Sequence, residues 1–130
     1  MTFVVREGDL TSTGGFVLKA SGRQLHDERR IARMGDPVWC AICERVGFIA
    51  QGNPTYIDGF VAVATDGQTV RCACPDDRHR LISSQDQVTA DMDATISIPA
   101  DLAKAAQKLA KKMNAAISDG SMSLQRSDSQ

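Results

Sequence analysis

The sequence predicts a mainly β chain: short strands arranged in three repeat units, followed by one amphipathic helix. Three observations carry this. Nine of the ten glycines and three of the four prolines fall before residue 84. Between them sit short apolar runs, Phe3-Val4-Val5, Gly15-Phe16-Val17-Leu18, Gly47-Phe48-Ile49-Ala50 and Phe60-Val61-Ala62-Val63. Turn formers alternating with Val, Ile and Phe read as short strands joined by tight turns. The pattern then changes: Leu102, Ala106, Leu109, Met113 and Ile117 recur at spacings of four, three, four and four. That spacing is one stripe of an α-helix.

The repeat is short. Val4-Val5-Arg6-Glu7-Gly8-Asp9 matches Ile31-Ala32-Arg33-Met34-Gly35-Asp36, and a weaker copy is placed at Val61-Ala62-Val63-Ala64-Thr65-Asp66. Gly15-Phe16-Val17-Leu18 echoes Gly47-Phe48-Ile49-Ala50. Equal supersecondary units at such spacing are expected to pack around an axis, here an approximate threefold within one chain.

This organises the chain into a β domain over residues 1–86, an extension over 87–120 and a polar tail over 121–130 that is expected to be disordered. Within the extension a helix is expected at about 99–118, with Pro99 suited to its first turn and Gly120 placed to end it. Lys104, Lys108, Lys111 and Lys112 flank the stripe. With the polar run before it, this reads as a tethered arm rather than part of the core, its stripe buried on a partner or in a helix docked only loosely on the β domain.

Composition removes several function classes. The formal net charge is −1, with both signs spread along the chain, which is not the basic footprint of a nucleic-acid binder. No apolar run approaches a membrane span or a signal peptide, so synthesis and folding in the cytosol are expected. There is no phosphate loop with its lysine, no H-E-x-x-H and no G-x-S-x-G, and two histidines in charged loops give little support for a Cys–His or Ser–His couple. The chain reads as a non-enzyme.

Cysteine usage is more telling. Cys40-Ala41-Ile42-Cys43 and Cys72-Ala73-Cys74 are two tight pairs far apart in sequence. In a reducing compartment such pairs point to metal or redox chemistry rather than stable disulfides. Four thiolates, Cys40, Cys43, Cys72 and Cys74, can occupy the corners of a closed structural zinc site. That would staple a small core poor in aromatics. The alternative is four buried or partly oxidised cysteines. His79 is a substitute ligand for one thiolate, although a loop rich in acids and arginines more often holds a solvated histidine; His26, before Asp27-Glu28-Arg29-Arg30, reads as solvated. Asp9, Asp36 and Asp66 recur behind Gly or Thr and read as turn-forming acceptors rather than catalysts. Trp39 and Tyr56 read as core or as interface anchors. Arg6 and Arg33 are placed to bond either a partner or a neighbouring repeat's carbonyls.

At these residues the chain resembles the PAAR-repeat family. Gly8-Asp9-Leu10-Thr11-Ser12-Thr13-Gly14-Gly15 is similar to its opening G-D-x-T-S-H-G-G, and Ile31-Ala32-Arg33-Met34-Gly35-Asp36-Pro37-Val38-Trp39-Cys40 to its V-A-R-x-G-D-x-V-x-C. Gly52-Asn53-Pro54-Thr55, Asp58-Gly59 and Val61-Ala62 resemble G-x-P-T…D-G-x-x-V-A; Cys72-Ala73-Cys74 with Arg80-Leu81-Ile82-Ser83-Ser84 resembles the closing C-G-C…L-I-x-S. The resemblance implies a cone of short strands whose base sits on a trimeric VgrG-type spike of a type VI secretion system. It also implies one zinc ion in the tip and delivery out of the cell or into a target cell on the spike; on the helix the resemblance is silent, and carriage of an effector or adaptor there is read from its apolar stripe alone. Without an apolar run of spanning length, no stable membrane insertion is expected. Thr13 stands where the family often has a zinc-binding histidine, and Pro75-Asp76-Asp77-Arg78-His79 is an insertion, so the family's usual ligand set does not carry over unchanged. A free-standing zinc-binding interaction module and a redox protein using Cys40 and Cys43 are the alternative readings.

Overall fold

A computed structural model describes residues 2–75 and 78–124. Asp76 and Asp77 of the insertion, and residues 125–130 of the tail expected to be disordered, lie outside them. The strands are β1 (Thr2–Phe3), β2 (Phe16–Val17), β3 (Leu25–His26), β4 (Arg29–Arg30), β5 (Pro37–Cys40), β6 (Arg45–Ile49), β7 (Gln51–Asp58), β8 (Val61–Val63), β9 (Val70–Arg71), β10 (Thr89–Ala90) and β11 (Ile96–Ser97); one helix, α1 (Ala100–Ser118), follows. All pairings are antiparallel: β2-β5-β6-β9 form one sheet, β11-β7-β8 a second, and β1-β10 and β3-β4 two small ribbons. No helix among the described residues is long and apolar enough to cross a membrane.

The threefold repeat is visible in the backbone hydrogen bonds. Val5 N–H donates to Ala64 O, Ala32 N–H to Val5 O and Ala64 N–H to Ala32 O, all at 2.9–3.0 Å, closing a ring. Around it, the N–H groups of Gly8, Gly35 and Gly67 donate to the carbonyls of Val17, Ile49 and Leu81. These return N–H bonds to the carbonyls of Asp9, Asp36 and Gln68. A third set hands each unit to the next: Leu18 N–H to Pro37 O, Ala50 N–H to Thr69 O, Ile82 N–H to Leu10 O. The third copy of the repeat is therefore Val63-Ala64-Thr65-Asp66-Gly67-Gln68, two residues later than the sequence match placed it. The weak copy misled because Gln68, not Asp66, takes the acceptor role. Asp9 Oδ2 accepts Arg6 N–H, Asp36 Oδ2 accepts Arg33 N–H, and Gln68 Oε1 accepts Thr65 N–H, each at 2.8 Å. Asp66 instead caps Ser83 N–H at 2.7 Å.

The core lies on this axis. Val5, Ala32 and Ala64 pack with Val17, Ile49 and Leu81, the equivalent positions of the three units, and with Val38 and Val70. Each buried aliphatic side chain contributes about 1.5–3 kcal/mol relative to exposure, and no unit could bury its share alone. The echo of Gly15 in Gly47 has a steric cause. A Cβ on Gly15 would stand 2.1 Å from Trp39 O, and one on Gly47 2.2 Å from Arg71 O. Each glycine lets the next unit's strand approach closely, a role only Gly fills.

Each repeat arginine ties its own unit together. Arg6 Nη1 donates to His26 O (3.1 Å) and Arg33 Nη1 to Asp58 O (2.7 Å), so both serve carbonyls within the fold. Trp39 is half-buried against the helix-covered sheet, and Tyr56 packs beside Val4, Ile31 and Val63 while hydrogen-bonding Gln24. His26 is mostly buried rather than solvated, because the ribbon β3-β4 folds it back toward Arg6.

The arm expectation is overturned. The polar run before the helix supplies β10 and β11, which pair with β1 and β7, and α1 docks on the β domain. Leu102, Ala103 and Ala106 pack on Met34, Phe48, Ala50, Ala62 and Ile98; Ala110, Met113 and Ile117 pack on Leu18, Val46, Phe16 and Trp39. The helix begins after Pro99 and ends before Gly120, whose φ of 80° suits the position after a helix. The buried face is turned relative to the predicted stripe: Ala106 and Ala110 lie innermost and Leu109 is 43% exposed. Small alanines let the helix sit close on the sheet, and that face is hard to see in a pattern that weights Leu and Met. Asn114 locks the contact, accepting Val46 N–H at 2.7 Å and donating to Val46 O at 3.2 Å, so it pairs the open edge of β6 as a strand would.

Removing residues 99–130 is therefore expected to uncover Phe48, Val46 and Met34 and to cost roughly 3–5 kcal/mol. A thermal melt of the shortened chain checks this. An unchanged, cooperative transition would show that the helix is dispensable.

Candidate metal centre

Three chain reversals, one from each repeat unit, meet at one end of the fold. They are the turn over residues 11–15, the β5–β6 turn after Cys40, and the loop after β9 that carries Cys72, Cys74 and His79. The first is tightened by Thr11, whose hydroxyl accepts Gly15 N–H at 2.9 Å.

Here the donor atoms of Cys40, Cys72, Cys74 and His79 all lie within 4.8 Å of one another. Cys40 Sγ is 3.8 Å from Cys74 Sγ and 3.2 Å from His79 Nε2. Two sulfurs each about 2.3 Å from a tetrahedral ion stand about 3.8 Å apart, so spacing and donor set both fit a closed metal site. Cys40 and His79 are buried, Cys72 and Cys74 half-buried. The group thus unites three of the four predicted thiols with the substitute histidine. Cys43 stands beside it, its N–H donating to Cys40 Sγ at 3.5 Å. Cys74 N–H donates likewise to Cys72 Sγ at 3.4 Å. Such N–H···S bonds stabilise thiolates.

His79 is 2% exposed, not solvated as its charged neighbours implied, because the loop turns it inward between the thiols and Thr13. The Thr13 hydroxyl hydrogen-bonds His79 Nδ1, leaving Nε2 toward Cys40. A ligating histidine is commonly oriented by such a bond on its other nitrogen. Thr13, noted in the sequence only as a departure from a pattern, therefore orients the histidine that joins the group. Its signal was a polar residue in the first turn and a lone histidine in the third, a link only the threefold closure makes.

The electrostatics describe a site that wants a cation. Burial pushes the Cys40 thiol up, but hydrogen bonds led by the Cys43 N–H outweigh this and its net shift is downward. Burial raises Cys72, aided by the neighbouring Cys40 and Cys43 thiols. Burial and the bond to Cys40 raise Cys74. His79 is held below its usual range by burial and then by Arg78, which favours the neutral imidazole that ligates metals. Crowded thiolates repel one another, and a divalent ion removes that penalty.

No curated protein and no solved structure matches the chain. A family model described as PAAR motif matches residues 7–75, just over half of the chain. The matched stretch takes in the end of the first copy of the repeat, the whole of the second and third, and the four cysteines, and on that match the chain belongs to the PAAR-motif family.

Proposed function

We propose that this protein is the tip of a type VI secretion spike, seated as one copy on a trimeric VgrG-type protein, with one structural zinc ion held at Cys40, Cys72, Cys74 and His79. The single observation that carries this is the closed ring of threefold backbone hydrogen bonds within one chain. A monomer built this way offers a threefold partner three similar faces, the economical way to cap a trimer with one subunit. The quartet's thiol-rich set favours zinc. The role is structural and involves no catalysis. The protein is made in the cytoplasm and leaves on the spike, with an effector or adaptor carried on the docked helix.

The face for the spike is the end away from the thiols. The β7–β8 turn presents Phe60, 97% exposed with a φ of 70°, as the anchor for that contact. A bulky residue in the left-handed region costs of order 1–3 kcal/mol, and a bare aromatic held this way is suited to a partner's pocket. Leu25 and Ile57 are exposed as well.

Mixed with the neighbouring spike trimer, the chain should form a complex of one copy per trimer, measured by light scattering. Phe60→Asp should weaken it roughly 30-fold or more while leaving the melt unchanged. A ratio of three to three, or no complex with metal content intact, would favour a free-standing zinc-binding module instead.

A further inference from the structure

Between α1 and the edge formed by β6 and β9 lies an open cleft of about 690 Å³. Its floor is small and apolar, with Ala73 and Ala103 prominent, and its walls carry Arg45, Arg71, Lys104 and Lys111. No carboxylate lines it among the described residues, and none of the four cations forms an ion pair there. Arg71 is braced across the Phe48 ring, 5.6 Å from its centre, which holds its guanidinium in place rather than leaving it to wander in solvent.

Four cations on one cleft, with no ion pair to any of them among the described residues, in a chain whose net charge is −1, call for an explanation. The adjacent metal centre does not supply it, because three thiolates, a neutral histidine and a divalent ion sum to only about −1. We infer that the cleft receives an extended acidic segment of another polypeptide, its carboxylates meeting Arg45, Arg71, Lys104 and Lys111 and its small apolar side chains resting on the alanine floor. Arginine forks pair carboxylates in bidentate geometry. Nucleic acid fits less well, because the Phe48 ring that lines the cleft is buried and covered by Arg71, which leaves a base nothing to stack on. Strand addition to β6 is closed off, since Asn114 already occupies the backbone of Val46. The segment must therefore bind through its side chains.

This deepens the cargo-carrying part of the proposed function and rests on it for biological meaning. Its test contains no spike protein, so the two readings fail separately. The probes are fluorescein-labelled peptides of about ten residues alternating Glu with Ala, the same peptide with Gln for Glu, and an oligothymidylate of equal charge, followed by anisotropy at about 50 and about 200 mM salt. The full-length protein should bind the Glu peptide, lose affinity at the higher salt, and ignore the Gln peptide. Lys104→Glu with Lys111→Glu should weaken binding about tenfold or more, whereas Lys108→Glu with Lys112→Glu, the same charge change on the outward face, should weaken it less than about threefold. Metal content and melting of both double variants establish that they fold, and Lys104→Gln with Lys111→Gln serves as a milder pair should reversal unfold the chain. No binding of the Glu peptide, equal losses in both double variants, or tighter binding of the oligonucleotide would each overturn the inference.

Discussion

Cys40→Ser is expected to remove the metal and most of the protein's thermal stability in one step. Cys40 is the hinge of the proposed centre: it is buried, it lies 3.8 Å from Cys74 Sγ and 3.2 Å from His79 Nε2, and it accepts the Cys43 N–H. The four donors come from β5 and from the loop after β9, segments of two repeat units whose strands β6 and β9 pair through Phe48 with Arg71 and Ile49 with Val70. The ion adds a clasp between them at this end. Structural zinc in small domains contributes apparent binding free energies of about 10–16 kcal/mol near neutral pH, more than a domain of this size has to spare. Elemental analysis of the purified protein should give about one zinc per chain. Chelation by a strong ligand should lower the melting temperature as the serine variant does. Cys43→Ser should retain the metal, since His79 holds the fourth corner, and Thr13→Val should weaken metal binding about 10–100-fold by freeing the His79 ring. Metal-free protein with an unchanged melt would rule out the centre.

Asp9→Ala should cost about 3–5 kcal/mol without touching the metal. Asp9 is fully buried. One of its oxygens accepts Arg29 Nη2 at 2.7 Å and the Ser84 hydroxyl at 2.5 Å; the other accepts Arg6 N–H at 2.8 Å and Ser84 N–H at 3.3 Å. It ties the first repeat turn to β4 and to the closing segment of the third unit. Truncation leaves Arg29, itself mostly buried, without its counter-charge and strands two N–H donors. Asp9→Asn should cost less, because an amide oxygen keeps part of this set. The equivalent acceptor in the third unit is already an amide, Gln68. Denaturant unfolding of the three proteins measures the order. An alanine variant within about 0.5 kcal/mol of the parent would mean that the turns hold without their acceptors.

How much of this was legible in advance differs by level. The strands around Phe16, Phe48 and Val61, and the helix from Pro99 to Gly120, follow from local turn chemistry and periodicity, which act over a few residues. The pairing of Gly15 with Gly47 was visible because the same steric need, a strand backbone about 2 Å from any Cβ, recurs in two units. The third unit was misplaced by two residues because its acceptor is Gln68, and identity of residue type is a poor guide where a different side chain makes the same bond.

The sequence by itself determined the family, the short-strand class, the C-terminal helix and the presence of a thiol-rich site. Each is written in residue types at short spacing, where backbone geometry leaves few choices. Only the tertiary structure decided which thiols meet, that His79 rather than Cys43 completes the group, and that α1 lies on the sheet. Those outcomes depend on the ring that Val5, Ala32 and Ala64 close across the chain. It carries Thr13 to His79 over 66 residues, and it opens beside Val46 a strand edge that Asn114 fills. Contacts of that range cost loop entropy that grows only slowly with separation. Spacing along the chain therefore says little about which of them form, and the packing of the three units around one axis selects them.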